Sequence, residues 1–542
     1  MRLFILQAAL LTATACSSDT DTKAVSEPDS PSPTDDTGTS PDGDDTGELP
    51  DGIDPVDIGP DSGPCGDAGW GAVSAPEDTL HVSGDEPLHQ LDPSLDADGS
   101  MTHPFRSLAD LEEHLSASTE LAGVAVALWP GEHTLQPTSA QVLANAGLPV
   151  QSCGPETTRL KPAEAGEGPV LTLSDGANLT LDGFSLSGRP GHPAILVEDA
   201  STLTLSNASV SNDLSAAAIL GRSGATLNLY NIQVVGGATG IWTNGGASTL
   251  TVDTSTISGA GMAGIWTNGG ASTLTDVVVQ DIDGVPGISG ARGGWGVVLK
   301  DGIVALDKVH IKNVQQGGLV LNNTAGAITD LRVEDVSTNA DGELGRGIHA
   351  WGSYDPSIGL MFTNVEVANV HDVGILARNT HPLKLENITI TNVEPATYLI
   401  AADEGDSDSL DSSSYDPGVV TTGDGLIVVQ RGWAGEADPT LNCVELKGTN
   451  AFRGISRAGI ITDASLLTLE VPEVLEGSPY GTSALSLFAQ HAGVIEWLGD
   501  APDDWPTDET PYPMPSITPF DFHEDDMAED MGGEPEDTTA GE

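Results

Sequence analysis

Residues 240–251, Gly-Ile-Trp-Thr-Asn-Gly-Gly-Ala-Ser-Thr-Leu-Thr, return without change at 264–275. A second phrase keeps the same step. Leu179-Thr180-Leu181-Asp182-Gly183-Phe184 is followed by Leu203-Thr204-Leu205-Ser206-Asn207-Ala208 and by Leu227-Asn228-Leu229-Tyr230-Asn231-Ile232. Later copies stand at 361–367 and 383–390. A period of this length marks a solenoid, in which each coil closes the apolar gap left by the one before. Alternation of apolar and polar residues within each copy is strand periodicity. Runs this short have no independent stability and must stack. Apolar residues spaced for amphipathic helices are missing from these copies, which excludes a helical solenoid.

These phrases resemble right-handed parallel β-helix proteins of the pectate-lyase-like architecture, over roughly residues 75–495. The segment before them is similar to the entry of bacterial surface β-helix proteins. It contains Asp96-Ala97-Asp98-Gly99-Ser100, Pro104-Phe105-Arg106-Ser107-Leu108 and the apolar run 124–135. The resemblance implies a helix closing the open end of the solenoid. The residues agree: Ser107 and Asp110 have capping-box spacing, and Leu108, Leu111 and Leu115 share one helical face. The expected fold is therefore all-β: a right-handed single-stranded parallel β-helix with an amino-terminal helical cap and disordered acidic tails. The expected order is a signal peptide (1–15), an acidic tether (16–64), the cap and first coil (65–165), the β-helix (166–498) and an acidic tail (499–542).

Residues 1–15 hold one Arg, an apolar stretch and then Ala13-Thr14-Ala15 before Cys16. This is the pattern of a secretory signal, too short to span a bilayer. It resembles a bacterial lipoprotein cleavage site, which implies lipid on Cys16, and Ser17 after it implies the outer membrane. An ordinary signal peptide with an incidental Cys is the alternative. The stretch after Cys16 is rich in Asp, Pro, Gly, Ser and Thr and cannot bury a core. Residues 403–416 read as an acidic insert of the same kind.

Eighty-one acidic and 19 basic residues give a net charge of −62, which sets nucleic acid and anionic lipid aside as partners. No cofactor is required by the pattern. Ca²⁺ is the metal that acidic clusters could hold, with Asp96 and Asp98 as candidates. Of the remaining cysteines, Cys153 and Cys443 stand many coils apart, beyond the ~7 Å reach of a disulfide. Cys65 and Cys153, both near the amino-terminal end, form the expected pair, leaving Cys443 as a buried thiol.

Register supplies the candidate site. In Gly-Ile-Trp-Thr-Asn, Ile241 and Thr243 point inward and Trp242 and Asn244 outward. Carried along the coils, one outward row reads Trp242, Trp266, Val298, Val320, His349, Leu376. The next reads Asn244, Asn268, Lys300, Asn322, Trp351, Arg378. Aromatic faces, amides and cations on one strip suit a glycan groove, and the candidate contacts are Trp242, Trp266, Lys300, Asn322, His349, Trp351 and Arg378. Packing beneath connecting loops is the other reading. A polysaccharide lyase, using Lys300, Arg346, His349 and Arg378 with Asp355 or Asp372 on Ca²⁺, stays open, as does a glycoside hydrolase or a spacer with no ligand. The strip offers no pair of carboxylates. The leading expectation is a lipid-anchored surface module that binds or displays glycan without catalysis.

Overall fold

The computed structural model describes residues 79–499, apart from 85–95, 118–123, 137–138, 164–167, 285–292, 340–343, 353–356, 400–418, 430–442, 476–486, 491–493 and four single positions. The signal segment, Cys16, the tether, Cys65, Asp355, the insert 403–416 and residues 500–542 lie outside them. The chain forms a right-handed parallel β-helix. Three parallel sheets run its length, and each rung pairs in register with the next.

The inward columns make the core. In the first sheet Ile195, Ile219, Ile241, Ile265, Val297 and Leu319 stack through successive pairings, each 0 % exposed. The second sheet stacks Leu181, Leu205, Leu229 and Val252, and the third stacks Leu186, Val210, Val234 and Ile257. A three-residue strand buries one or two side chains, so the continuous column makes the core that a single coil lacks. The longest strand, Ala263–Ile282, passes through two corners and serves all three sheets.

Left-handed corners separate the sheets. Asn207 (φ 49°), Asn231 (φ 51°), Asn364 (φ 56°) and Asn387 (φ 57°) occupy the corner after the second sheet. Asparagine tolerates this conformation better than other residues with a Cβ. Their amides form a ladder. Asn231 Nδ2 donates to Asn207 Oδ1 at 2.7 Å, and Asn387 Nδ2 donates to Asn364 Oδ1 at 3.0 Å. Each run ends on a carboxylate, Asp182 or Asp330, which accepts the last amide.

A glycine column turns the chain into the first sheet. Gly240, Gly264, Gly296, Gly318, Gly347, Gly374, Gly425 and Gly459 follow one another rung by rung. A Cβ on any of the first six would stand 2.6–2.8 Å from the carbonyl oxygen of the next glycine in the column. Close approach of successive backbones, rather than an unusual φ, excludes side chains here.

The entry is built more tightly than expected. The strand Thr79–Val82 pairs with Ala125–Leu128, which pairs with Val150–Ser152. Helix α1 (Leu108–Ala117) therefore lies within the connection between the first two of these rungs, not ahead of the first rung. It buries Leu108, Leu111 and Leu115, as its spacing predicts. Ser107 Oγ accepts from Asp110 N at 3.2 Å, and Asp110 Oδ2 accepts from Arg106 N at 3.2 Å. Helix α2 (Ser139–Ala146) packs beside it through Ala140, Leu143 and Ala144. Thr138 three residues before Gln141 has capping-box spacing and Gly147 follows the last residue, signals that the sequence reading did not take up.

One expectation is corrected here. Cys443 is not a free thiol; it and Cys153 are both disulfide-bonded. About ten rungs at ~4.8 Å separate them, so they are not each other's partner, and the partners lie outside the described residues. Exclusion of Cys153 as a partner did not exclude the amino-terminal cysteines. Asp98 is committed to a turn. Its Oδ1 accepts from Ser100 N at 2.8 Å, and hydrogen bonds from the Ser100 side chain and backbone hold its carboxyl below the usual range. Among the described residues no three His, Cys, Asp or Glu side chains converge as a metal site would need.

The entry also carries a pH sensitivity. His81, 6 % exposed, accepts at Nδ1 from Trp129 Nε1 at 3.3 Å, a role that needs the neutral ring. Burial pulls its pKa from 6.5 down to about 4. The unfolded chain takes the proton first, so stability falls as pH drops from 6.5 towards 4. Protection factors of the amides in 79–82 and 125–129, corrected for the intrinsic pH dependence of exchange, are expected to be lower at pH 4.5 than at pH 7.5, and equal protection at both would contradict this.

Candidate functional site

The outward side of the first sheet carries both predicted rows in the predicted register. Trp242 pairs with Trp266, then Val298, Val320, His349 and Leu376 follow. Beside them run Asn244, Asn268, Lys300, Asn322, Trp351 and Arg378. The two rows differ in accessibility, which pattern alone did not reveal.

The first row is open only at its start. Trp242 and Trp266 are half-buried. Val298 and Val320 are 5 % and 4 % exposed and pack with Ala263 and Trp295. Leu376 packs with Val373, Ile427, Val429, Ala458 and Ile461. From Val298 onward the outer face therefore carries a second apolar layer. His349, expected to meet a ligand, is 3 % exposed within this row. Burial, then the charges of Arg346 and Arg378, hold its pKa well below the usual value, so it is a neutral, enclosed ring.

The second row stays half-exposed from Asn244 to Arg378. Five rungs at ~4.8 Å make it about 24 Å long. Asn268 Nδ2 donates to Asn244 Oδ1 at 3.3 Å, which orients the amides along the axis. Lys300 Nζ lies 3.9 Å from Asp301 Oδ2. The Arg378 guanidinium sits 5.0 Å from the Trp351 ring centroid, a cation–π contact that holds the indole in place.

At the start of the same strands, away from this row, lies a group of buried charges. Arg346 Nε donates to Asp372 Oδ2 at 2.7 Å, with side chains 5 % and 2 % exposed. Arg457 pairs with Asp424, whose Oδ1 also accepts from Ala458 N at 3.1 Å. Burial raises the Asp424 pKa against the pull of Arg457, and the nearby Asp372 charge adds to the rise. The sequence reading offered Arg346 and Asp372 as parts of a lyase centre. The structure commits them to each other, away from solvent. Asp372 and Asp424 are two neighbouring carboxylates, but at 1 % and 0 % exposure neither faces a glycosidic bond. A signal for this group does exist in the chain. Arg346, Val373 and Asp424 each directly precede a glycine of the turning column, at a position that is buried in every rung.

No family model matches the chain, and no curated protein matches it in sequence. Three solved structures are similar in chain path. The Dettilon tailspike protein is 10 % identical over 76 % of this chain and 68 % of its own, with a TM-score of 0.34. The catalytic domain of a GH87 α-1,3-glucanase in complex with nigerose is 12 % identical over 76 % and 69 %, with a TM-score of 0.33. The catalytic unit of a thermostable GH87 α-1,3-glucanase from Streptomyces thermodiastaticus is 10 % identical over 82 % and 72 %, with a TM-score of 0.29. At these values the likeness does not bear on what the chain binds or does.

Proposed function

We propose that this chain is an exported, non-catalytic glycan-binding or display module. The observation that carries the reading is the in-register pair Trp242 and Trp266 at the head of an open row of Asn244, Asn268, Lys300, Asn322, Trp351 and Arg378. Indole faces stack on the apolar face of a sugar ring, and amides and cations bond its hydroxyls. Successive rungs repeat these groups along one line, which suits a chain polymer rather than a small ligand. The chain has four cysteines, and with Cys153 and Cys443 both disulfide-bonded, and not to each other, no thiol is left for lipid at Cys16; the mass of the amino-terminal peptide tests this.

The test of the glycan row is binding of the full-length protein to immobilised polysaccharides. Trp242→Ala together with Trp351→Ala is expected to weaken retention about 10–100-fold, from roughly 1–3 kcal/mol of lost stacking. Absence of binding to any polysaccharide would remove the proposal. New reducing ends or unsaturated uronates in the same incubations would replace it with a hydrolase or a lyase.

A further inference from the structure

The second sheet carries a different face, independent of the Trp–Asn row. Five successive rungs present three outward columns, of which the third, Asp182, Ser206, Tyr230, Asp253 and Thr275, borders the corner; the first two form an uncharged net. One reads Asn178, Thr202, Thr226, Thr249 and Ala271; the other reads Thr180, Thr204, Asn228, Thr251 and Thr273. The residues between them, Leu179, Leu203, Leu227, Leu250 and Ser272, are buried, and all ten side chains of the net are half or fully exposed. Pairing in register sets a net of about 4.8 Å along the axis by roughly 6.7 Å along each strand.

Three properties distinguish this net. First, none of its ten side chains is charged, in a chain with 81 acidic and 19 basic residues. Its uncharged character continues into the next rung, where Ala271 pairs with Ile303 (47 % exposed) and Thr273 with Ala305. Second, seven of the ten are threonine. A β-branched residue in a strand is restricted at χ1, so hydroxyl and methyl repeat with a common orientation where serine would not hold one. Third, the hydroxyls are left to solvent. Among the described residues, the one side-chain hydrogen bond within the net joins Asn228 Nδ2 to Thr204 Oγ1 at 3.5 Å. The third sheet lacks this regularity, since its matching rungs pass from Ser185 and Ser209 to Gln233.

We propose that this face binds ice. A net of hydroxyls at fixed spacing hydrogen-bonds water at the same spacing, and the methyls between them restrict first-shell water to few orientations. Hexagonal ice repeats its oxygens on nets of closely similar dimensions, so water ordered here can join a growing ice surface. Charged side chains orient water radially and have no place in that lattice; the carboxylates of this face, Asp182 and Asp253, stand in the third column at its border, outside the net.

The test grows ice slowly from a solution of the fluorescently labelled full-length protein and measures how much enters the ice. The wild-type protein is expected to be enriched in the ice fraction. Thr204→Lys with Thr251→Lys is expected to lose that enrichment while keeping the strand signal in circular dichroism. Thr226→Ser with Thr249→Ser, which keeps the hydroxyls but frees their orientation, is expected to reduce it and decides the matter should the lysine variant misfold. Trp242→Ala with Trp351→Ala should leave it unchanged, separating this face from the glycan row. Exclusion of the wild-type protein from ice, as for an ordinary soluble protein, would overturn the proposal. So would enrichment of both threonine variants at the wild-type level.

Discussion

Gly347→Ala is expected to destabilise the middle coils by about 3 kcal/mol or more, although it adds a single methyl group. The new Cβ would stand 2.6 Å from the Gly374 carbonyl oxygen and press on the Val367 side chain. A carbonyl fixed in the next rung cannot move aside without shifting that rung against its own neighbour. The strain therefore spreads along the column instead of relaxing at one site. Because a solenoid is stabilised rung by rung, the loss should appear as local opening before global unfolding. Proteolysis within 340–380 and a lowered urea midpoint are the readouts. Gly246→Ala is the matched control. It is exposed, and a Cβ there meets nothing within 4 Å, so that variant should be neutral or slightly more stable. Equal behaviour of the two variants would mean that close backbone approach does not set the glycine column.

The second large effect is expected at the buried ion pair. Arg346→Met leaves the Asp372 carboxylate enclosed without its guanidinium and should cost about 3–5 kcal/mol. Adding Asp372→Asn removes the stranded charge, and asparagine suits the left-handed backbone there (φ 63°). The double variant should recover much of the loss, so that the two changes are strongly non-additive. Thermal or urea unfolding of the four proteins of this cycle supplies the coupling energy. Simple additivity would show that the pair does not act as a unit. It would also reopen a functional role for Arg346, because a group that leaves its partner indifferent is not held by it.

The fold was legible because its rules are local and repeated. The identical 240–251 and 264–275 segments set the period, and alternation set which side chains face inward. Register carried both outward rows correctly across six rungs, even through steps as unequal as Lys300 to Asn322 and Asn322 to Trp351. What escaped was whatever depends on non-repeating chain. Val298 and Val320 pack with Trp295, which stands on the first sheet itself in register with Ala263 and Gly317; alternation places that position but not the large side chain that fills it. The Arg346–Asp372 and Arg457–Asp424 pairs join residues 26 and 33 positions apart, at corners where coil lengths vary. The glycine column is spaced irregularly, because the connections between its rungs differ in length, so it surfaces only when the rungs are aligned. The threonine net was in plain view in the Leu-Thr-Leu phrases. Its regularity in two dimensions emerges only when five rungs are paired.

The account rests on side chains far apart in the chain lining up on successive rungs of one face. Spin labels on Asn244→Cys and Arg378→Cys test this directly, since the two positions are remote in sequence but only five rungs distant. The prediction is a narrow distance distribution centred at about 24 Å, set by rung spacing alone. A broad distribution, or a mean far from that value, would contradict the register and with it the row of Trp, Asn, Lys and Arg on which the proposed function stands.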